Sequence, residues 1–143
     1  MYIPVKLRQE VFEKYNGLCA YTGTELQDDW QVDHMVPVHR IKMVAPEMRH
    51  IMGWPKDPNC ISNLMPVQRI VNHYKRSLML DQFKDWYLGG LHERLKKLPK
   101  NPRVEKSIRH KEYLLEVADL FGIEPDKPFC GELYFEQLEE VCT

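Results

Sequence analysis

The residues that decide the fold lie in three short stretches, Val32-Asp-His-Met-Val-Pro37, Ser62-Asn-Leu64 and Val71-Asn-His-Tyr-Lys-Arg-Ser77. Residues 30–37 end at a proline and predict a strand whose neighbours Asp33 and His34 point to opposite faces. Residues 63–68 predict a second short strand, and residues from about 69 to 78 predict a helix. The expected core is therefore a pair of strands followed directly by a helix.

Asp33, His34 and Asn72 carry the side chains that metal-assisted phosphodiester hydrolysis needs. A hard divalent cation prefers oxygen ligands, which the Asp33 carboxylate and the Asn72 amide can supply together with water and a phosphate oxygen. Because successive strand residues face opposite sides, Asp33 can bind the metal while His34 stays free to deprotonate a water molecule.

This ordered set of residues resembles the HNH nuclease family, especially the HNH domains of RNA-guided CRISPR nucleases and small stand-alone HNH proteins. The resemblance runs from Tyr15 to Ser77, and Asn63 and Asn72 are nine residues apart, as in that family. It implies an α+β fold with a ββα-metal core, a preceding N-terminal helix and a helical C-terminal extension. It also implies a metal-dependent DNA endonuclease that leaves 5′-phosphate and 3′-hydroxyl ends.

The resemblance also implies a role for each matched residue. His34 would be the general base, Asp33 and Asn72 the ligands of Mg²⁺, Mn²⁺ or another divalent cation, and Asn63 the residue that holds the loop backbone and orients His34. His73 stays open as the less favoured substitute for Asn72, because adjacent residues on a helix diverge by about 100°.

The chain departs from the family in two places. Many stand-alone members bind a structural zinc on two Cys-x-x-Cys pairs, whereas the equivalent positions here are Cys19, Thr22, Gln68 and Val71. No structural zinc is expected, and packing of apolar side chains is predicted in its place. The second departure is a long connection, residues 38–61, which predicts a loop beside the site with one helical turn around residues 46–52.

The charge is distributed unevenly along the chain. The formal net charge is −1, with 20 Lys plus Arg against 21 Asp plus Glu. It combines +1 over residues 1–91, +6 over residues 92–111 and −8 over residues 112–143. The basic stretch predicts either a surface that binds DNA phosphates or a solvated, charged helical face. The predicted DNA contacts are Lys75, Arg76, Arg94, Lys96, Lys97, Lys100 and Arg103.

The remaining pattern predicts a nuclease core over residues 1–80 and a helical extension over residues 81–143, packed together as one unit. The extension would hold the basic stretch and an acidic tail. The sequence contains no run of 18 apolar residues and no signal-peptide pattern, which indicates a cytoplasmic protein of a bacterium or a phage-infected cell with no membrane partner. The alternative function is an inactive HNH-fold module that binds nucleic acid or protein.

Overall fold

The computed structural model describes the backbone of residues 2–142 and the side chains of residues 2–139. The fold is α+β, with one two-stranded antiparallel sheet. The strands are β1 (Gln31–His34) and β2 (Leu64–Val67). The α-helices are α1 (Val5–Lys14), α2 (Val38–Lys42), α3 (Arg69–Lys75), α4 (Leu80–Gln82), α5 (Leu91–Lys96), α6 (Glu105–Phe121) and α7 (Tyr134–Cys142).

The two strands and α3 follow one another as the sequence predicts. β1 pairs with β2 in a register that places His34 opposite Leu64 and Asp33 opposite Met65. All four residues of β2 are buried, and α3 begins two residues after the strand ends. Because this connection is so short, the first turns of α3 stay next to the strand that carries Asp33 and His34.

The connection between the strands is more ordered than the sequence predicts. The expected turn is present as a 3-10 helix, Pro46–Met52, but residues 38–42 also form α2. Pro37 provides the fixed φ that starts this helix, and Ile41 anchors it because its side chain is fully buried. The prediction of a long loop over residues 38–61 was therefore wrong for its first part.

The N-terminal helix supports the residues that precede β2. Asn16 and Gly17 end α1 with φ values of 56° and 80°, which reverses the chain. Lys14 donates hydrogen bonds to the carbonyl oxygens of Ile61 (2.8 Å) and Leu64 (3.0 Å). Burial lowers the pKa of Lys14, and this lysine fixes the turn that carries Asn63.

The chain divides into two compact units, residues 1–80 with 133–143 and residues 81–132. The C-terminal residues thus belong to the first unit and not to an extension that runs from residue 81 to the end. The amides of Tyr134 and Phe135 donate to the carbonyl oxygens of Tyr21 (3.2 Å) and Ala20 (2.9 Å). At Gly23, where φ is 73°, a Cβ would lie 2.6 Å from the Tyr134 ring.

The second unit is helical. A π-helix over Phe83–Leu88 follows α4 directly, and Gly89 and Gly90 separate it from α5. Gly122, with φ of 68°, ends α6. None of the helices within residues 2–142 is both long enough and apolar enough to cross a lipid bilayer.

Candidate active site

An open cavity of about 610 Å³ lies where β1, α2 and the C-terminal end of α3 meet. It brings together three residues that the sequence singled out for chemistry, namely Asp33, His34 and Asn72. Val32 and Pro37 complete the strand side of the wall, and the remaining lining residues are Val38, His39, Lys42, Arg76 and Ser77.

Two buried side chains contact the same oxygen of the Asp33 carboxylate. Tyr21 donates its hydroxyl hydrogen to Oδ2 (2.6 Å), and Lys75 Nζ lies 2.9 Å from the same oxygen. Burial, and then the Asp33 charge, raise the pKa of Tyr21 well above its usual value, so the phenol stays a donor. Among the side chains of residues 2–139, none hydrogen-bonds to Oδ1, which leaves that oxygen available as a ligand.

Lys75 has a different role from the predicted one. Its side chain has no exposed surface, and the Asp33 carboxylate balances its ammonium group. The contact has the distance of an ion pair but not the angles of a hydrogen bond, so charge holds it. A buried ammonium cannot reach a DNA phosphate, and the prediction that Lys75 contacts DNA was wrong.

The His34 ring is oriented by Asn59. Nε2 of His34 lies 2.7 Å from Oδ1 of Asn59, and an amide oxygen can only accept, so Nε2 carries the hydrogen. In the neutral ring Nδ1 then holds the lone pair that a general base requires. Asn59 is itself fixed, because its backbone N–H donates to Oδ1 of Asp57 (2.9 Å).

Asn63 holds the backbone on either side of the site and is almost completely buried. Its Oδ1 accepts from the N–H of Val36 (2.8 Å), and its Nδ2 donates to the carbonyl oxygens of Val36 (3.1 Å) and Pro58 (2.9 Å). These bonds tie the end of β1 to the residue before Asn59. The side chain thus lies on loop backbone, where the resemblance placed it, and its role in orienting His34 stays a prediction.

Asn72 lies on the wall of the cavity, whereas His73 is exposed and is not among the lining residues. Nδ2 of Asn72 donates to Oε1 of Gln31 (2.7 Å). With its donor occupied, the amide has an oxygen, Oδ1, that accepts from no other side chain in the described range. The geometry therefore favours Asn72 over His73 as a ligand.

Arg76 closes α3 in a strained conformation. Its φ of 56° and ψ of −140° lie in a region that residues other than glycine avoid, and such strain costs about 1–3 kcal/mol. Its side chain is exposed and lines the cavity. Strain of this kind persists only where the surrounding structure imposes it, and it is found most often at functional sites.

The positions that correspond to the zinc pairs are joined by hydrogen bonds. Gln68 is buried, and its side chain donates to Oγ1 of Thr24 (3.2 Å) and accepts from the N–H of Gln27 (3.3 Å). Thr22 and Thr24 share a hydrogen bond of 2.7 Å. Cys19 and Val71 are fully buried, but polar contacts of Gln68 add to the apolar packing that the sequence predicts.

The predicted DNA contacts of the second unit fall into two groups. Arg94 donates to the carbonyl oxygens of Trp86 and Tyr87 and lies over the Tyr87 ring, so its guanidinium caps the π-helix. Because Arg94 is half-buried, its contact with DNA stays a prediction. Lys96 pairs with Glu93 at the surface (3.1 Å), and the side chains that remain exposed there are Lys97, Lys100 and Arg103.

The donor set of the cavity fits a hard divalent cation. Asp33 and Asn72 line the same cavity, and neighbouring side chains fix Oδ2 of Asp33 and Nδ2 of Asn72. Within residues 2–139, no three His, Cys, Asp or Glu side chains converge on one point. A single carboxylate with a single amide therefore suits a cation that keeps most of its water, as Mg²⁺ does.

Several residues that hold the site in place were not predicted from the sequence. Tyr21, Gln31 and Asn59 fix the three candidate catalytic groups, yet all are common polar residues outside the motifs. Gln31 could have been found, because it precedes Asp33 by two residues on the same strand.

Comparison with protein-family models, curated proteins and solved structures finds nothing that matches this chain.

Proposed function

We propose that the protein is a divalent-metal-dependent DNA endonuclease of the HNH type, built on a ββα-metal core. The observation that carries this proposal is the shared cavity of Asp33, His34 and Asn72, each held by a second side chain that leaves one functional atom available. Such second contacts are typical of metal sites and of catalytic bases, where orientation decides the rate.

In the proposed reaction His34 acts as the base. Nδ1 accepts a proton from water, the water oxygen attacks phosphorus, the bond from phosphorus to the 3′ oxygen breaks, and the leaving 3′ oxygen takes a proton from solvent water. The products are a 5′-phosphate and a 3′-hydroxyl. Oδ1 of Asp33 and Oδ1 of Asn72 would hold the cation, which when bound supplies charge stabilisation for the phosphate and the leaving oxygen.

Two neighbouring groups assist this chemistry. Asn59 keeps Nδ1 of His34 as the unprotonated nitrogen, because Nε2 is already committed as a donor. Arg76, at the rim of the same cavity, is placed to bind a non-bridging phosphate oxygen. The contribution of Asn59 is positional, and it costs nothing at the moment of reaction because the His34 ring is held beforehand.

The test is nicking of supercoiled plasmid by the purified full chain. The wild type is expected to produce open circles with Mg²⁺ or Mn²⁺ and none with EDTA. His34→Ala should remove nicking and keep DNA binding, and His50→Ala, an exposed histidine on the 3-10 helix, should leave nicking unchanged.

The second candidate function is a nucleic-acid-binding module without catalysis. The specific observation in its favour is that Asp33 already has a cation, Lys75, at 2.9 Å. Plasmid binding by the wild type without any metal-dependent nicking would select this function and reject the endonuclease.

A further inference from the structure

The helix α2 contributes a second group of polar side chains to the cavity. His39 and Lys42 are three residues apart on this helix, and both line the cavity. Arg40 lies between them in sequence, is equally exposed and is absent from the lining. Residues three apart share a helix face, whereas Arg40 lies on another, so α2 presents a distinct polar face to the cavity.

Arg49, which follows α2, has a structural role instead. Its side chain is buried, and its guanidinium donates to the carbonyl oxygens of Val44 (2.9 Å) and Lys56. It therefore links the backbone before the 3-10 helix to the backbone after it. Of the basic side chains in the connection between the strands, Lys42 is the one that combines a full charge with a place in the cavity wall.

The chemistry of the lining indicates what the cavity accepts. Lys42 and Arg76 come from two different elements, α2 and the end of α3, and the one carboxylate, Asp33, is balanced by Lys75. The lining contains no Phe, Tyr or Trp, so no aromatic side chain is available for a base to stack on. Such a surface suits successive phosphates of a polynucleotide more than it suits bases.

We propose that Lys42, together with His39, binds a backbone phosphate that neighbours the scissile one, so that the cavity grips two phosphates and reads no base. This proposal rests on the proposed function for the identity of the scissile phosphate. Arg76 holds one phosphate and α2 holds the next. The ligand class is the sugar–phosphate backbone of DNA, and binding should be tolerant of sequence.

The test compares Lys42→Ala with Arg40→Ala, which removes the same charge from the same helix outside the cavity. Binding of a fluorescent DNA duplex is measured by anisotropy in EDTA over a range of KCl concentrations, so that cleavage does not interfere. Lys42→Ala should weaken binding roughly threefold to tenfold at low salt and reduce the salt slope by about 1. Arg40→Ala should change binding less than twofold, roughly the limit for a distant exposed charge.

One further variant and two control measurements keep the result interpretable. Lys42→Arg restores the charge and should restore affinity, and the circular dichroism of all variants should match that of the wild type because the side chains are exposed. Duplexes of unrelated sequence should bind within about threefold of one another, as expected of contacts to phosphate. Equal effects of Lys42→Ala and Arg40→Ala, no binding by the wild type, or a sequence preference of tenfold or more would overturn the proposal.

Failure of this proposal is distinguishable from failure of the endonuclease. A protein that binds DNA through Lys42 and never nicks supports the phosphate site and rejects the enzyme. A protein that nicks, and whose rate and affinity respond equally to Lys42→Ala and Arg40→Ala, keeps the enzyme and rejects the phosphate site.

Discussion

The cavity of the first unit and the basic stretch of the second, residues 92–111, are both rich in polar side chains, but their contacts differ. In the cavity, Asp33, His34 and Asn72 each have one atom fixed by a neighbour and another atom left available. In the basic stretch, Arg94 binds carbonyl oxygens of its own unit, and Lys97 is exposed without such a contact. Chemistry needs oriented atoms, whereas binding to phosphates needs only charge near the surface.

Charge density along the sequence therefore does not locate the reactive site. The net charge of +6 over residues 92–111 predicted DNA contacts in the second unit. The cavity depends instead on a few polar atoms and on their partners, which are far away in sequence. Variants that remove a partner should therefore have larger effects than variants that remove an exposed charge.

The largest effect is expected at the buried ion pair. Lys75→Met leaves the Asp33 carboxylate buried beside Tyr21 without its cation, so the free energy of unfolding should fall by roughly 3–5 kcal/mol. Denaturant titration followed by circular dichroism measures this change. The double variant Lys75→Met with Asp33→Asn should recover part of the loss, and an unchanged stability in the single variant would contradict the account of Lys75.

The next effect is expected at Asn59. Asn59→Ala removes the acceptor for Nε2 of His34, so the ring loses its orientation, and kcat for nicking should fall by about tenfold to hundredfold. DNA affinity in EDTA should not change, because the side chain carries no charge. Asn59→Asp keeps an oxygen acceptor and should retain most of the rate. Equal loss in both variants would show that the contact does not act through its acceptor.

A smaller effect, of opposite sign for stability and rate, is expected at Arg76. Arg76→Gly relieves a backbone with φ of 56° and removes the guanidinium from the cavity. After the entropic cost of glycine, the free energy of unfolding should rise by about 1 kcal/mol while nicking slows. Arg76→Ala keeps the strain and loses the guanidinium, so it should slow nicking without the gain in stability. A lower free energy of unfolding in Arg76→Gly than in the wild type would contradict the backbone strain at Arg76.

The smallest effect is expected from the second unit. Replacing Lys97, Lys100 and Arg103 together by Ala should weaken DNA binding, reduce its salt slope by at most about 3, and leave kcat unchanged. Fluorescence anisotropy and nicking rates on the same protein measure both quantities. A loss of kcat comparable to that of Asn59→Ala would remove the distinction between the two regions.

Much of the fold followed from local pattern. The strand before Pro37, the second strand and the helix that follows it depend on local periodicity and on single residues such as that proline, so the sequence predicts them. The π-helix over residues 83–88 and the helix α2 were not predicted. Both depend on packing within their units, such as the burial of Ile41, which local pattern does not show.

The residues of the site also divide into those that the sequence predicts and those that it does not. Asp33, His34, Asn63 and Asn72 could be selected from the sequence because, in this order, they resemble a known motif. Their hydrogen-bond partners could not be selected from the sequence. Tyr21 and Asp33 are 12 positions apart, and His34 and Asn59 are 25 positions apart. The interpretation of Lys75 failed for this reason, since a lysine beside a motif looks the same in sequence whether it is buried or exposed.

The central claim is that the cavity at β1 and α3 holds a metal-dependent catalytic centre in which Asn72, and not its neighbour His73, supplies the amide ligand. The most direct measurement is the Mg²⁺-dependent nicking rate of the wild type, Asn72→Ala and His73→Ala on one plasmid. We expect Asn72→Ala to lower the rate by roughly a hundredfold or more, as for loss of one catalytic contact, and His73→Ala to stay close to the wild type. An inactive wild type, or a loss of activity in His73→Ala with Asn72→Ala active, would contradict the claim.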